Sequence, residues 1–110
     1  MTTKNPVYPP IEEPAQSAES ERYILRLYVA GMKPRSAHAI ENIRAICLEH
    51  LEGRYELQVI DVYQQPELAK GEQIVAAPTL IKKLPLPLRR IIGDMSNEEK
   101  VLVGLGLTRR

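Results

Sequence analysis

The sequence predicts an α/β (α+β) fold of order β-α-β-α-β-β-α, and three observations carry that prediction. Residues 23–30, Tyr-Ile-Leu-Arg-Leu-Tyr-Val-Ala, form a nearly continuous β-favouring apolar run, as expected of a strand covered on both faces. A helical stripe and a second β-favouring segment follow, so the fold opens with a βαβ unit whose strands are parallel and whose crossover is right-handed. Residues 77–94 then set three prolines and four cations among Leu and Ile side chains, a pattern that suits two short strands and breaks a helix.

Each element has its own grounds. Gly31 ends the first strand. Beyond Pro34, Ser36 is expected to cap a helix in which Ala39, Ile40, Ile43, Ile46, Cys47 and Leu51 recur at three and four residues, with Gly53 as the stop. Residues 55–62 read as the second strand, with Leu57, Val59 and Ile60 available to the core and Asp61 as its polar exception. Pro66 suits the first position of a short helix over 66–75, where Leu68, Ala69 and Ile74 form a thin apolar face interrupted by Gly71. Residues 79–84 and 88–92 are the strands of a hairpin, with Pro85 and Pro87 confined to the connection because neither can donate to a ladder. Ser96-Asn97-Glu98-Glu99 reads as a capping box ahead of Val101, Leu102 and Leu105. Gly104 and Gly106 weaken that last helix where it ends, so Gly104→Ala is expected to strengthen it by up to roughly 1 kcal/mol. Thr108-Arg109-Arg110 adds cations near the helix's negative pole.

Residues 1–21 are expected to be a disordered Pro-rich arm, because Pro6, Pro9, Pro10 and Pro14 stand among polar residues with little apolar surface to bury. Residues 22–110 form the single folded domain. The 15 basic and 14 acidic residues argue against a nucleic-acid binder. No apolar run is long enough to span a membrane, and the first twenty residues lack the apolar core of a signal peptide, which points to the cytoplasm. The single Cys47 agrees with that compartment and excludes a dithiol exchange pair. No nucleophile with a base, no metal cluster and no phosphate loop is evident, so neither an enzyme nor a cofactor is expected. His38 and His50 stand twelve apart on one helix, too far to share a metal.

The element order is the thioredoxin-like one, in which a proline opens the third strand, as Pro78 does here. Five stretches then resemble a known family. They are Tyr23-Ile24-Leu25-Arg26-Leu27-Tyr28-Val29-Ala30-Gly31, Val59-Ile60-Asp61-Val62, Pro78-Thr79-Leu80, Leu84-Pro85-Leu86-Pro87-Leu88-Arg89-Arg90-Ile91-Ile92-Gly93-Asp94 and Glu99-Lys100-Val101-Leu102-Val103-Gly104-Leu105. Over residues 22–107 they resemble KaiB, the circadian clock family. The resemblance implies a protein without catalytic activity that binds the hexameric KaiC ATPase and modulates its phosphorylation cycle or output. It also implies capture of KaiA by the complex and competition with a histidine kinase whose sensory domain is KaiB-like. It further implies a homo-oligomeric ground state, dimer or tetramer, of order βαββααβ that switches to a monomeric thioredoxin-like state. His38 stands where the family usually has a basic residue, Gln58 where it has lysine, Gly106 where it often has Asp, and the acidic tail is missing. These departures argue against KaiA capture and for a divergent paralogue serving its own KaiC.

Two sets of residues follow as candidate sites. Lys82, Lys83, Arg89 and Arg90 form a cationic edge for partner binding, against the plainer reading of a solvated sheet edge protected from aggregation. Pro78, Pro85, Pro87, Gly104 and Gly106 are the positions at which a change of fold is expected, because the second half of the chain mixes signals where the first half is consistent. Cys47 reads as a small core hydrophobe. Asp61, Asp94, Glu98 and Glu99 read as caps and strand ends. The alternative function is a thioredoxin-like stress-response adaptor or holdase without a clock.

Overall fold

A computed structural model describes residues 21–107; the expected arm and the Thr108-Arg109-Arg110 end lie outside the described residues. The elements are β1 (Tyr23–Val29), α1 (Pro34–His50), β2 (Tyr55–Asp61), α2 (Pro66–Gly71), β3 (Thr79–Leu84), β4 (Arg89–Ile92) and α3 (Glu98–Leu105), in the predicted order. One sheet of order β2-β1-β3-β4 runs through the molecule, with β1 parallel to β2 and antiparallel to β3, and β4 antiparallel to β3.

Strand alternation divides the core into two layers. Tyr23, Leu25, Leu27 and Val29 of β1 point to one face, where Ala39, Ile43, Ile46 and Cys47 of α1 and Val101 and Leu105 of α3 cover them. Tyr28 points to the other face and packs with Ile60 and Ile81 beneath Leu68, Ala69 and Ile74 of the α2 segment. β1 is therefore covered on both sides, as its nearly continuous apolar run predicts. The Tyr28 hydroxyl is buried in this second layer with no hydrogen-bond partner among the described residues. β2 is an edge strand, and of its apolar residues only Ile60 is fully buried, while Leu57 and Val59 are half-buried against the first layer.

Both expected helix caps fall elsewhere. α1 starts at Pro34, with Lys33 in the cap position and no side-chain cap bond. Pro34 presets φ for the first helical residue, which places Ser36 inside the first turn, where it is buried and its Oγ accepts from the Ala30 N–H at 3.3 Å. At α3 the cap is Asn97, whose Oδ1 accepts from the Lys100 N–H at 3.1 Å. Ser96 instead donates its N–H to Asp94 Oδ1, closing the preceding turn. α2 stops at Gly71, short of the expected 66–75. The chain reverses at Gln73 (φ 58), and the Ile74 N–H returns to the Ala69 carbonyl at 2.9 Å, which carries Ile74 back onto the second layer.

Gly104 overturns the expected benefit of alanine. It lies within α3 against Ile91, and a Cβ there would sit 2.5 Å from Ile91 Cδ1 and 2.7 Å from Cγ1. Ile91 is itself buried, so the added methyl has no free space. Gly106 closes the helix in the left-handed conformation (φ 76), its N–H bonded to the Val103 carbonyl.

Candidate partner-binding surface

The strand order separates the four cations that the sequence groups into one edge. β3 is an inner strand, and its register sets Lys82 between Leu25 and Arg89 on the face covered by α1 and α3. Lys82 is only 4 % exposed. Burial pushes its ammonium below the ordinary lysine value, Arg89 beside it adds to that, and Glu21 opposes it. Lys83, on the opposite face, pairs with Glu72, which also accepts from Arg26 Nη1 at 3.3 Å. This triad fastens the end of α2 to the sheet. Lys82 is thus enclosed in the sheet's α1–α3 face, and Lys83, partly exposed, is engaged by Glu72.

Arg89 and Arg90 remain as the exposed pair, on the outer strand β4. Alternation turns Arg89 toward the α3 side and Arg90 toward the α2 side, where its Nη1 reaches the Gln73 carbonyl at 3.5 Å. They flank a groove between β4 and α3 lined by Ile91, Ile92, Lys100, Val103 and Gly104. Ile92 and Val103 are about half exposed, and exposed Leu84 at the end of β3 and Leu86 and Leu88 in the β3–β4 connection add to them. Lys100 and the exposed apolar rim escaped the sequence reading, although Lys100 and Val103, three apart on α3, stand on the face that alternates with buried Val101 and Leu105. The surface combines exposed cations, apolar anchors and a β4 edge left unpaired among the described residues. It can dock a chain carrying acidic and apolar groups, or extend the sheet by a strand.

The other candidate positions serve the frame of this surface. Pro78 is buried immediately before β3, while Pro85 and Pro87 lie in the β3–β4 connection. Asp61 Oδ1 accepts from the N–H groups of Gly31 and Tyr63, and the Ser96 side chain, followed by the Ser96 N–H that donates to Asp94 Oδ1, holds the Asp94 carboxyl below the usual range. Asn42 Nδ2 donates to the Asp94 carbonyl at 2.9 Å and ties α1 to the loop before α3. Cys47 is fully buried, and burial pushes its thiol up to about 12. His38 and Gln58 are exposed on α1 and β2. Among the described residues, the side chains able to share a metal ion are Glu49, His50 and Glu98, at the junction of α1 and α3.

The family model of the KaiB domain matches residues 26–107. The chain belongs to the KaiB family. A circadian clock protein KaiB3 of Synechocystis sp. is 54 % identical over 89 residues, covering 81 % of this chain and 87 % of that protein. A circadian clock oscillator protein KaiB of Prochlorococcus marinus is 53 % identical over 90 residues, covering 82 % and 86 %. Among solved structures, the N-terminal domain of Synechococcus elongatus SasA superposes with a TM-score of 0.63 at 24 % identity, over 90 % of this chain and 97 % of that domain. Fasciola hepatica thioredoxin superposes with 0.65 at 21 % identity, over 83 % and 85 %. The two superpositions establish the thioredoxin-like fold. Clock-protein relatives at this identity favour the clock reading over a stress-response adaptor. The single cysteine, Cys47, is buried in the last turn of α1. Among the described residues no helix is long and apolar enough to cross a membrane.

Proposed function

We propose that this protein is a regulatory, non-catalytic component of a circadian or clock-related timing system that docks on a hexameric KaiC-type ATPase in the cytoplasm through the β4 edge and the β3–β4 connection. The observation that supports this reading is the exposed Arg89 and Arg90 pair set in an apolar rim on an open sheet edge. Desolvated apolar anchors hold a complex, while rim cations speed encounter with an acidic partner. Lys82 and Lys83 take no direct part, since burial and Glu72 occupy them.

The same reading includes competition with a histidine kinase for the ATPase, supported by the fold shared with the SasA domain. It leaves KaiA capture aside, because His38 and Gln58 replace the basic residues expected for it. A homo-oligomer of order βαββααβ in equilibrium with the thioredoxin-like monomer completes the proposal, with Pro78, Pro85, Pro87, Gly104 and Gly106 all in the half that would be rebuilt.

Size-exclusion chromatography with the matching KaiC-type ATPase and nucleotide tests the docking. The chain should move into the ATPase peak, and Arg89→Glu with Arg90→Glu should slow association and remove much of its salt dependence. Co-elution with unchanged kinetics in the double variant would place the interface elsewhere. No co-elution of the unaltered chain would reject the ATPase as partner.

A further inference from the structure

The end of α1 and the start of α3 bring two carboxylates and an imidazole together. His50 Nε2 lies 3.4 Å from Glu98 Oε2 and 3.8 Å from Glu49 Oε1, and the three atoms are within 4.8 Å of one another. An ion with tetrahedral bonds of about 2.0–2.1 Å holds its ligand atoms roughly 3.3–3.4 Å apart. The two histidine-to-carboxylate edges are already close to that size. The remaining edge closes by rotation of Glu49 and Glu98, whose side chains are 69 % and 53 % exposed.

The arrangement is poorly satisfied as a set of hydrogen bonds alone. One Nε2–H donates well to a single carboxylate at a time, so the second Glu beside it relies on solvent. A divalent ion accepts a lone pair from all three. His50 is also the last residue of α1, where the helix's partial negative charge favours a cation. The two helices are held in this relation without help from any ion, by Asn42 bonded to the Asp94 carbonyl and by Val101 and Leu105 packed in the first layer. The backbone frame that carries the donors is therefore preformed.

We infer that Glu49, His50 and Glu98 bind a zinc-class divalent cation at the α1–α3 junction, with the remaining position open to water. One imidazole nitrogen with two carboxylates suits zinc or its neighbours, whereas calcium takes six to eight oxygens and magnesium keeps near-octahedral oxygen ligation. The ion clips α3 to α1. It therefore favours this fold over any state in which Glu98 leaves His50.

Calorimetric titration of the full chain with zinc chloride, and the visible spectrum with cobalt(II), test the site. One ion per chain should bind, the melting temperature should rise with zinc, and cobalt should give the bands of a low-coordinate site. Glu98→Gln, and separately Glu49→Gln on the other helix, should each weaken binding by roughly tenfold or more. His38→Ala removes the only other histidine and should change nothing. Absence of stoichiometric binding, binding that survives both glutamate variants, or an equal loss in His38→Ala would overturn the assignment.

Discussion

Two strands, β1 in the βαβ half of the molecule and β4 in the half after it, are buried differently. β1 has a neighbour along each edge and a packed layer on each face, with Leu25 and Leu27 wholly enclosed. Among the described residues β4 has a neighbour on one edge only; it exposes Arg89, Arg90 and Ile92, and Leu84 at the end of β3 and Leu86 and Leu88 in the connection are in contact with water. Both halves are rich in aliphatic side chains. What separates them is strand order: position in the sheet decides whether the same side chains stabilise the fold or remain available to a partner.

The largest expected effect breaks the enclosed half. Leu27→Ala should cost about 2–5 kcal/mol in denaturant unfolding, since the surrounding layer cannot collapse onto the gap. Leu86→Ala, made in the other half on a side chain 74 % exposed, should stay within about 0.5 kcal/mol. Similar losses for the two would contradict the contrast.

Gly104→Ala should come next, destabilising by about 1–3 kcal/mol as the new methyl forces Ile91 out of place. Ile91→Val deletes the atom nearest the clash, so the double variant should lose less than the sum of the two singles. Additive losses would show that α3 and β4 do not press on one another at this point.

Asn97→Ala should cost about 1 kcal/mol by leaving the Lys100 N–H without its cap, whereas Ser96→Ala should cost much less. A reversed order would restore the serine-led capping box. The smallest effect belongs to Cys47. Its buried thiol keeps its proton up to about 12, while an unfolded chain loses it near the ordinary thiol value of 9.0. Between those values the unfolded state binds fewer protons, so stability falls as pH rises from about 9 to 12 and is fully present below. Cys47→Val should change neutral-pH stability by about 1 kcal/mol or less and flatten that alkaline slope.

The sequence was legible where one local rule acted alone. β3 spans Thr79–Leu84 as read from the apolar run and the flanking prolines, and the stripe from Ala39 to Cys47 is the buried face of α1. The misplaced caps show rules in competition. Pro34 and Ser36 both suit a helix start, and the chain follows the proline; Ser96 and Asn97 both suit a cap, and Asp94 claims the serine's backbone. Lys82 was illegible for a different reason. No local pattern states that β3 lies between β1 and β4, and that pairing alone decides whether a lysine is solvated. Glu49, His50 and Glu98 were equally hidden, because 48 residues separate the histidine from the last carboxylate.

The alternation along β1 also determines what light can report. The chain has no tryptophan and five tyrosines. Tyr23 is enclosed in the layer beneath α1 and α3, while Tyr28, its hydroxyl unpartnered among the described residues, is enclosed in the layer beneath α2. The two chromophores lie on one strand yet sample different compartments. Loosening of α2 would admit water to Tyr28 and alter its ultraviolet emission while Tyr23 stayed dark to the event, and displacement of α3 would do the reverse. Single Tyr→Phe replacements would turn this into a two-channel optical record of which side of the sheet opens first.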